Sequence, residues 1–380
     1  MLLTDNLDIV GVTSDGGLWH AKLVRGQGDT MPWEDIKRVQ GAVEPAPFVR
    51  TDCTLWQEAL HICVVSQDGK LWYEAPGQPL EDMSSHFDGS LGAFQDVSLT
   101  EFGGDLHVCA VAQNGWVIRL VRHANGQWEP LEDISIAAVS GISYESSFTR
   151  IDCAAGSQNL HVCVITEDGK LFYTRWDRSG WIPWVDGRGK TPDDDSISSA
   201  PDNVSDVSVS EENNELHVYA LTQGALWHTV GRAGPVQWQP VLHDASVDII
   251  DPGTFVAVDC ASVEERLGYQ RHVHVCGVTQ DGLLWYKMNF VEPAVPQSFE
   301  SVADKIQAPG PFVSVGVANS TVSLGQTSIP LTNCSSLQNQ INALCGVVPR
   351  TPSNRHRIQV LLAEGRRIRC TLTVPGGCLS

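Results

Sequence analysis

Positive charge is scarce in this chain: 25 Lys and Arg stand against 45 Asp and Glu in 380 residues, for a formal net charge of -20. Six of those cations (Arg350, Arg355, Arg357, Arg366, Arg367, Arg369) fall in residues 319–380 with one acid, Glu364, so the rest is more acidic still. Such a body repels phosphate backbones, which argues against nucleic acid as a partner despite the Arg-rich end. Long apolar runs are missing too, so no membrane span is expected. The opening MLLTDNLDIVG has neither the basic start nor the apolar stretch of a signal peptide, which points to a cytoplasmic or non-classically exported protein. No D-x-[DN]-x-[DN]-G loop is present for calcium, and Cys334, Cys345, Cys370 and Cys378 lack metal-finger spacing. No metal and no cofactor are expected.

What is present is a repeat. LDIVGVTSDGGLWH from Leu7, LHICVVSQDGKLWY from Leu60, LHVCAVAQNGWVIR from Leu106, LHVCVITEDGKLFY from Leu160, LHVYALTQGALWH from Leu216 and VHVCGVTQDGLLWY from Val273 are six copies of one pattern, spaced by 53, 46, 54, 56 and 57 residues. Regular recurrence at that period marks a repeat architecture. Each copy alternates apolar residues, as at Leu60, Ile62 and Val64, and then turns at Asp-Gly, which supplies the positive φ of a hairpin.

A further short run precedes each hairpin, as in FVRTDC from Phe48, FQDVSL from Phe94, FTRIDC from Phe148, VSDVSV from Val204 and FVAVDC from Phe255. A Trp- or Pro-bearing stretch comes after it, such as QWEPLEDI from Gln127, WIPWVDG from Trp181 or QWQPVLHD from Gln237. Four short strands per unit predict one propeller blade. The chain begins on the second strand of a blade and ends the repeats with FVSVGVA from Phe312, a first strand without its hairpin. The expected fold is therefore all-β: a six-bladed β-propeller of four-stranded antiparallel blades over residues 1–318, the ring closed by N- and C-terminal strands. Residues 319–380, which hold no Phe, Trp or Tyr, form an irregular C-terminal extension. Within it Leu337, Ile341 and Leu344 stripe a short helix that Gly346, Pro349 and Pro352 cut off, so the extension is expected to be degenerate or poorly ordered; a homo-oligomer is left open.

Cys53 with Cys63, Cys153 with Cys163 and Cys260 with Cys276 fill equivalent slots on the first and second strands. They are either cross-strand disulfides or small apolar residues; the unpaired Cys109 and the lack of an export signal favour the second. His61, His107, His161, His217 and His274 share another slot, which reads as a buried hydrogen-bonding position rather than a metal site, with Asp52, Asp152 and Asp259 as acceptors.

Each hairpin ends on paired side chains: Trp19-His20, Trp72-Tyr73, Ile118-Arg119, Phe172-Tyr173, Trp227-His228 and Trp285-Tyr286. Successive strand residues point to opposite faces, so one member of each pair enters one inter-blade junction and the second the opposite face. With Trp128, Trp181 and Trp238 after the hairpins, these rings are either core or sugar platforms: a sugar offers a CH face for stacking and a polar edge for Tyr, His or Arg. A glycosidase would need two convergent carboxylates or a Tyr and Glu, and no non-repeated acid cluster appears. SQDGKLW is one residue short of the Asp-box of sialidases.

The set of six LHVCxVTxDGxLWHT-type copies, followed by a W-x-P segment that the second and last blades lack and by an F-x-D-V-type strand, resembles the tectonin-type and bacterial fucose-binding propeller lectins over residues 7 to about 318. The resemblance implies a non-enzymatic, multivalent lectin whose shallow sites between blades recognise fucose or O-methylated sugars on glycans or glycoconjugates. It places Trp19, Trp72, Phe172, Trp227 and Trp285 at the family's third-strand ring and Trp128, Trp181 and Trp238 at its fourth-strand Trp. Ile118 departs from that ring, so fewer than six working sites are expected, with those of Trp181 and Trp238 foremost. The competing reading is a protein-interaction propeller without sugar binding, and behind it a sialidase-like glycosidase.

Overall fold

The computed structural model describes residues 5–24, 34–35, 47–87, 91–137, 147–156, 158–177, 179–186, 200–212, 215–231, 239–240, 252–263, 272–290, 299–302 and 309–321. Trp238 and the extension beyond 321 lie outside them. Apart from two single helical turns, Met83–His86 and Ile134–Ala137, the regular structure is strand.

Among the described residues, twenty-four strands make six four-stranded antiparallel sheets. The second sheet is typical: β4 (Phe48–Trp56), β5 (Ala59–Ser66), β6 (Leu71–Glu74) and β7 (Glu81–Asp82). The third runs from β8 (Phe94–Phe102) through β9 (Asp105–Ala112) and β10 (Val117–Arg122) to β11 (Glu132–Asp133). The fourth comprises β12 (Phe148–Ala155), β13 (Leu160–Thr166), β14 (Leu171–Trp176) and β15 (Val185–Asp186). The fifth and sixth begin on β16 (Val204–Glu212) and β20 (Phe255–Val263). In the first sheet the last described strand, β24 (Phe312–Thr321), takes the first-strand place beside β1 (Asp5–Thr13), which is followed by β2 (Leu18–Val24) and β3 (Glu34–Asp35), in the order β24-β1-β2-β3.

The hairpin turns also join one sheet to the next. Gly69 sits at φ +78° after Asp68, and its carbonyl accepts from Phe94 N–H, the first residue of the next sheet, at 2.7 Å. Gly16, Gly169, Gly224 and Gly282 do the same for Phe48, Val204, Phe255 and Phe312. The shortened turn Gln223-Gly224 keeps this link because both residues adopt positive φ. A Cβ at Gly69 would lie 2.2 Å from Ala93 Cβ in a backbone region that L-residues avoid. Gly69→Ala should therefore cost about 1–3 kcal/mol, read as a lowered denaturation midpoint; an unchanged midpoint would show that the turn is not a junction.

Apolar side chains from adjacent sheets pool into shared core clusters. Cys53 packs with Val10 and Val12 of the first sheet, whereas Cys63 packs with Val97 and Leu99 of the third. Cys63 lies opposite Asp52 in register and Cys53 opposite Ile62, so the two thiols face opposite sides of their sheet. Cys153 and Cys163 divide in the same way, as do Cys260 and Cys276, and the seven described cysteines are free. The disulfide alternative is thus removed by the alternation of the strand.

The first strands alternate between two sequences. β4, β12 and β20 carry Asp52, Asp152 and Asp259 at the place where β8, β16 and β24 carry Ser98, Ser208 and Gly316. Each carboxylate accepts a backbone N–H from the next first strand: Asp52 from Leu99 at 2.6 Å, Asp152 from Val209 at 2.6 Å and Asp259 from Val317 at 2.5 Å. Asp96 and Asp206 accept from Ile151 and Val258, both at 3.0 Å, and Thr51 N–H donates to Ser314 Oγ at 3.3 Å. These aspartates therefore knit first strands together; they are not the acceptors for the repeated histidines that the sequence suggested.

Candidate functional site

The third strand of each sheet sends two successive side chains near its start to opposite faces, and the second member is engaged by the repeated His slot in the second, fourth, fifth and sixth sheets and by Asp8 in the first, whereas Arg119 of the third pairs with Glu132. Tyr73 Oη lies 2.6 Å from His61 Nδ1, Tyr173 Oη 2.7 Å from His161 Nδ1 and Tyr286 Oη 2.6 Å from His274 Nδ1. His228 meets His217 at 3.1 Å, and His20 meets Asp8 at 2.9 Å. Burial, reinforced by Arg122, pushes the His61 pKa down to about 4; burial reinforced by Arg119 does the same to His107. His61 and His107 are thereby neutral near pH 7, and the repeated slot serves as a hydrogen-bonding brace. Among the described residues no group of three or more His, Cys, Asp or Glu is arranged to hold a metal ion.

Several predicted sugar contacts lie in the interior. Phe172, Tyr173, Tyr73 and Trp285 are buried and present little surface to a ligand, while Trp19, Trp72, Trp227, His20, His228 and Tyr286 are half-buried. Two of these rings are tied down by the preceding turn: Trp19 Nε1 donates to Thr13 Oγ1 at 3.2 Å and Trp72 Nε1 to Ser66 Oγ at 3.1 Å. Those hydroxyls in turn donate to Asp15 and Asp68, so the turn motif supports the indole.

Trp128 and Trp181 are not on fourth strands. The fourth strands are two-residue elements such as Glu81–Asp82 and Glu132–Asp133, and the tryptophans precede them, bridging the end of the third strand at Arg122 and Trp176. This shift carries the rings beyond the sheet to the edge of the junction with the preceding sheet.

At the junction of the third and fourth sheets the predicted Arg119 and Trp181 come together with Glu132 and Trp176, which the repeat pattern did not single out. Arg119 and Glu132 are register partners on β10 and β11, joined by an ion pair at 2.6 Å. Trp181 Nε1 donates to Glu132 Oε1 at 3.1 Å. The guanidinium lies 4.3 Å from the Trp176 ring centroid and 5.4 Å from that of Trp181. Arg119 is only 7% exposed, and its Nε and Nη1 have no hydrogen-bond partner among the described residues. A guanidinium boxed by two indoles, with spare donors beside a carboxylate acceptor, offers the kinds of group that a neutral polyhydroxyl ligand would need. Glu132 was detectable in sequence: PLED recurs at Pro79–Asp82 and Pro130–Asp133.

The equivalent junction between the second and third sheets has its parts exchanged. Tyr73 stands where Arg119 would, its register partner Glu81 matches Glu132, and the arginine is Arg122 on the opposite wall. Arg122 Nη1 donates to Tyr73 Oη, and its guanidinium lies 4.9 Å from the Tyr73 centroid and 5.6 Å from that of Trp128. Trp128 meets Tyr73 edge-on at 5.4 Å and His86 at 5.4 Å.

No family model matches the chain, and no curated protein matches it. Among solved structures it is similar to a triple arginine-to-alanine mutant of AofleA from Arthrobotrys oligospora, at 14% identity and TM-score 0.52 over 81% of this chain and 84% of that one. Looser likenesses are to SapL1 lectin in complex with alpha methyl fucoside (12%, TM-score 0.48, 77% and 94% covered) and to the six-bladed β-propeller lectin of Aleuria aurantia (15%, TM-score 0.44, 77% and 96% covered). At such identity the first likeness speaks for the fold alone.

Proposed function

We propose that the chain is a six-bladed propeller lectin of the tectonin-like kind, closed through β24, that binds neutral sugars of the fucose or O-methylated class at several junctions between sheets, without catalysis, metal or cofactor. Support for closure comes from the placement of β24 beside β1 and from its Ser314 contact with Thr51 of β4. The single observation carrying the function is the Arg119 box: two buried guanidinium nitrogens without hydrogen-bond partners among the described residues, flanked by Glu132 and the half-buried Trp181. A buried donor left unsatisfied costs about 1–3 kcal/mol, and two sugar oxygens on Nε and Nη1 would recover it. Trp181 then covers the sugar's CH face while Glu132 accepts from a hydroxyl. Individually weak sites gain from joint engagement of a clustered glycan.

The test is a glycan array of fucosylated, galactosylated and methylated glycans with free-sugar competition, and then calorimetry with methyl α-fucoside. Arg119→Gln should weaken a bound sugar at least tenfold with its thermal midpoint near that of the parent. Silence across the array would favour a protein-interaction propeller instead, and turnover of chromogenic glycosides would end the non-enzymatic reading.

A further inference from the structure

We infer that the junction between the second and third sheets is a second, chemically distinct site that takes a carboxylate-bearing sugar, its carboxylate on Arg122 and its ring against Trp128. This rests on the reading of the junctions as sugar sites and goes beyond it, because the two junctions use the same frame with different charge balance. In the third-to-fourth junction the guanidinium is neutralised by Glu132 at 2.6 Å. In the second-to-third junction the carboxylate of Glu81 is turned to His86, whose Nε2 lies 3.3 Å from Glu81 Oε1. Arg122 has no carboxylate within 4.0 Å among the described residues. Its neighbours of opposite sign, Asp105 and Glu129, are both taken by His123, at 3.1 and 3.0 Å. Arg122 Nε is buried with no hydrogen-bond partner among the described residues.

What holds Arg122 is a hydroxyl and two aromatic rings, none of which carries negative charge. Its field reaches inward, lowering the pKa of His61 after burial has done so and opposing the upward push of burial on Tyr73. A guanidinium with a free donor edge and no counter-charge is matched by a carboxylate, which takes two of its N–H groups at once. The half-buried Trp128, braced edge-on by Tyr73 and flanked by His86, offers the platform for the pyranose ring.

The discriminating ligands are methyl β-glucuronide and methyl β-glucoside, which differ only in carboxylate against hydroxymethyl, with methyl α-fucoside as the reference for the Arg119 junction. In calorimetry on the full chain at low salt, the glucuronide should bind at least tenfold more tightly than the glucoside, and this preference should shrink as salt is raised. Arg122→Gln should abolish the preference and leave fucoside binding within twofold; Arg119→Gln should do the reverse. A glucuronide affinity equal to the glucoside's, or one unmoved by Arg122→Gln in a protein that still binds fucoside, overturns the inference while the lectin reading stands. Loss of all three ligands in the parent protein overturns both. Should Arg122→Gln lose its thermal midpoint, Arg122→Lys supplies the second variant: it keeps the charge but not the paired N–H groups, and is expected to retain a weakened preference of less than tenfold.

Discussion

Between about pH 6 and about pH 8, Asp152→Ala should lose less stability than the parent while starting from a lower value at the acidic end. Burial pushes the Asp152 carboxyl up to about 7, against hydrogen bonds from Ser98, Val209, Ser208 and Cys153 that favour its charged form. Burial and the neighbouring carboxylates raise Asp52 and Asp259 well above the ordinary value. A carboxyl whose folded pKa lies above its unfolded one holds a proton in the folded state that the unfolded chain has lost. Its contribution is fully present below the unfolded value, near 3.8, and drains away as the pH rises through the folded one. For Asp152 the whole window corresponds to about 4 kcal/mol. The desolvated histidines act with the opposite sign: His61 and His107, lowered to about 4, and His228, lowered to about 3, give stability that is present above about 6.5 and lost as the pH falls below it. The unfolded imidazoles go on losing protons up to about pH 7.5, a gain shared by parent and variant, so the difference in slope between the two belongs to Asp152. Asp152→Ala also leaves Val209 N–H without its acceptor and frees Ser98 Oγ, a loss of about 3 kcal/mol at pH 6. Urea midpoints measured at steps from pH 6 to pH 8 decide it, and a variant whose slope equals the parent's would remove Asp152 from the account.

The strands were legible in the sequence because each hairpin copies the same alternation and turn chemistry, and the terminal run FVSVGVA found its place beside β1 because it lacked a hairpin of its own. The inner strands were legible as strands but not as a network. The alternation of Asp52, Asp152 and Asp259 with Ser98, Ser208 and Gly316 gains meaning only when each carboxylate is seen to accept a backbone N–H from the next sheet. A contact between sheets about fifty residues apart leaves no local signal. Cysteine spacing left a disulfide open beside the favoured apolar reading for a simpler reason: Cys53 and Cys63 sit on paired strands, but one position out of register, and a single position reverses the face.

The candidate site was legible in half. Arg119 stood out as the residue that breaks the run of rings, and Trp181 as one of the tryptophans that follow the hairpins. Their partners were hidden because a repeat reading looks for what recurs, whereas Trp176 occupies the place of Arg122 and Tyr73 that of Arg119. The scaffold repeats, and the chemistry at each junction is made by the exceptions to it. Tyr73, Tyr173 and Tyr286 were expected at the ligand, yet their hydroxyls are spent on the histidine slot, so the most regular feature of the hairpins is an internal brace.

Trp181 and Trp184, three residues apart, should respond in opposite ways to truncation. Trp184 is 2% exposed, and its ring faces Phe148 at 5.5 Å within the cluster that also holds Cys109, Ile134 and Phe172. Removing it empties the wedge between the third and fourth sheets, and Trp184→Ala should cost about 3–5 kcal/mol, with a midpoint drop visible in near-ultraviolet circular dichroism. No compensating gain arises from its Nε1, which has no hydrogen-bond partner among the described residues and is simply carried by the apolar burial of the ring. Trp181 is half-buried, bridges Trp176 at the edge and donates to Glu132. Its replacement by Ala exposes ring edges that already touch water, so the stability change should stay below about 1 kcal/mol. Sugar binding at that junction should fall at least tenfold, because the stacking face and the indole that fixes Glu132 leave together. Equal losses of stability in the two variants would make both rings core and leave the Arg119 box without a platform.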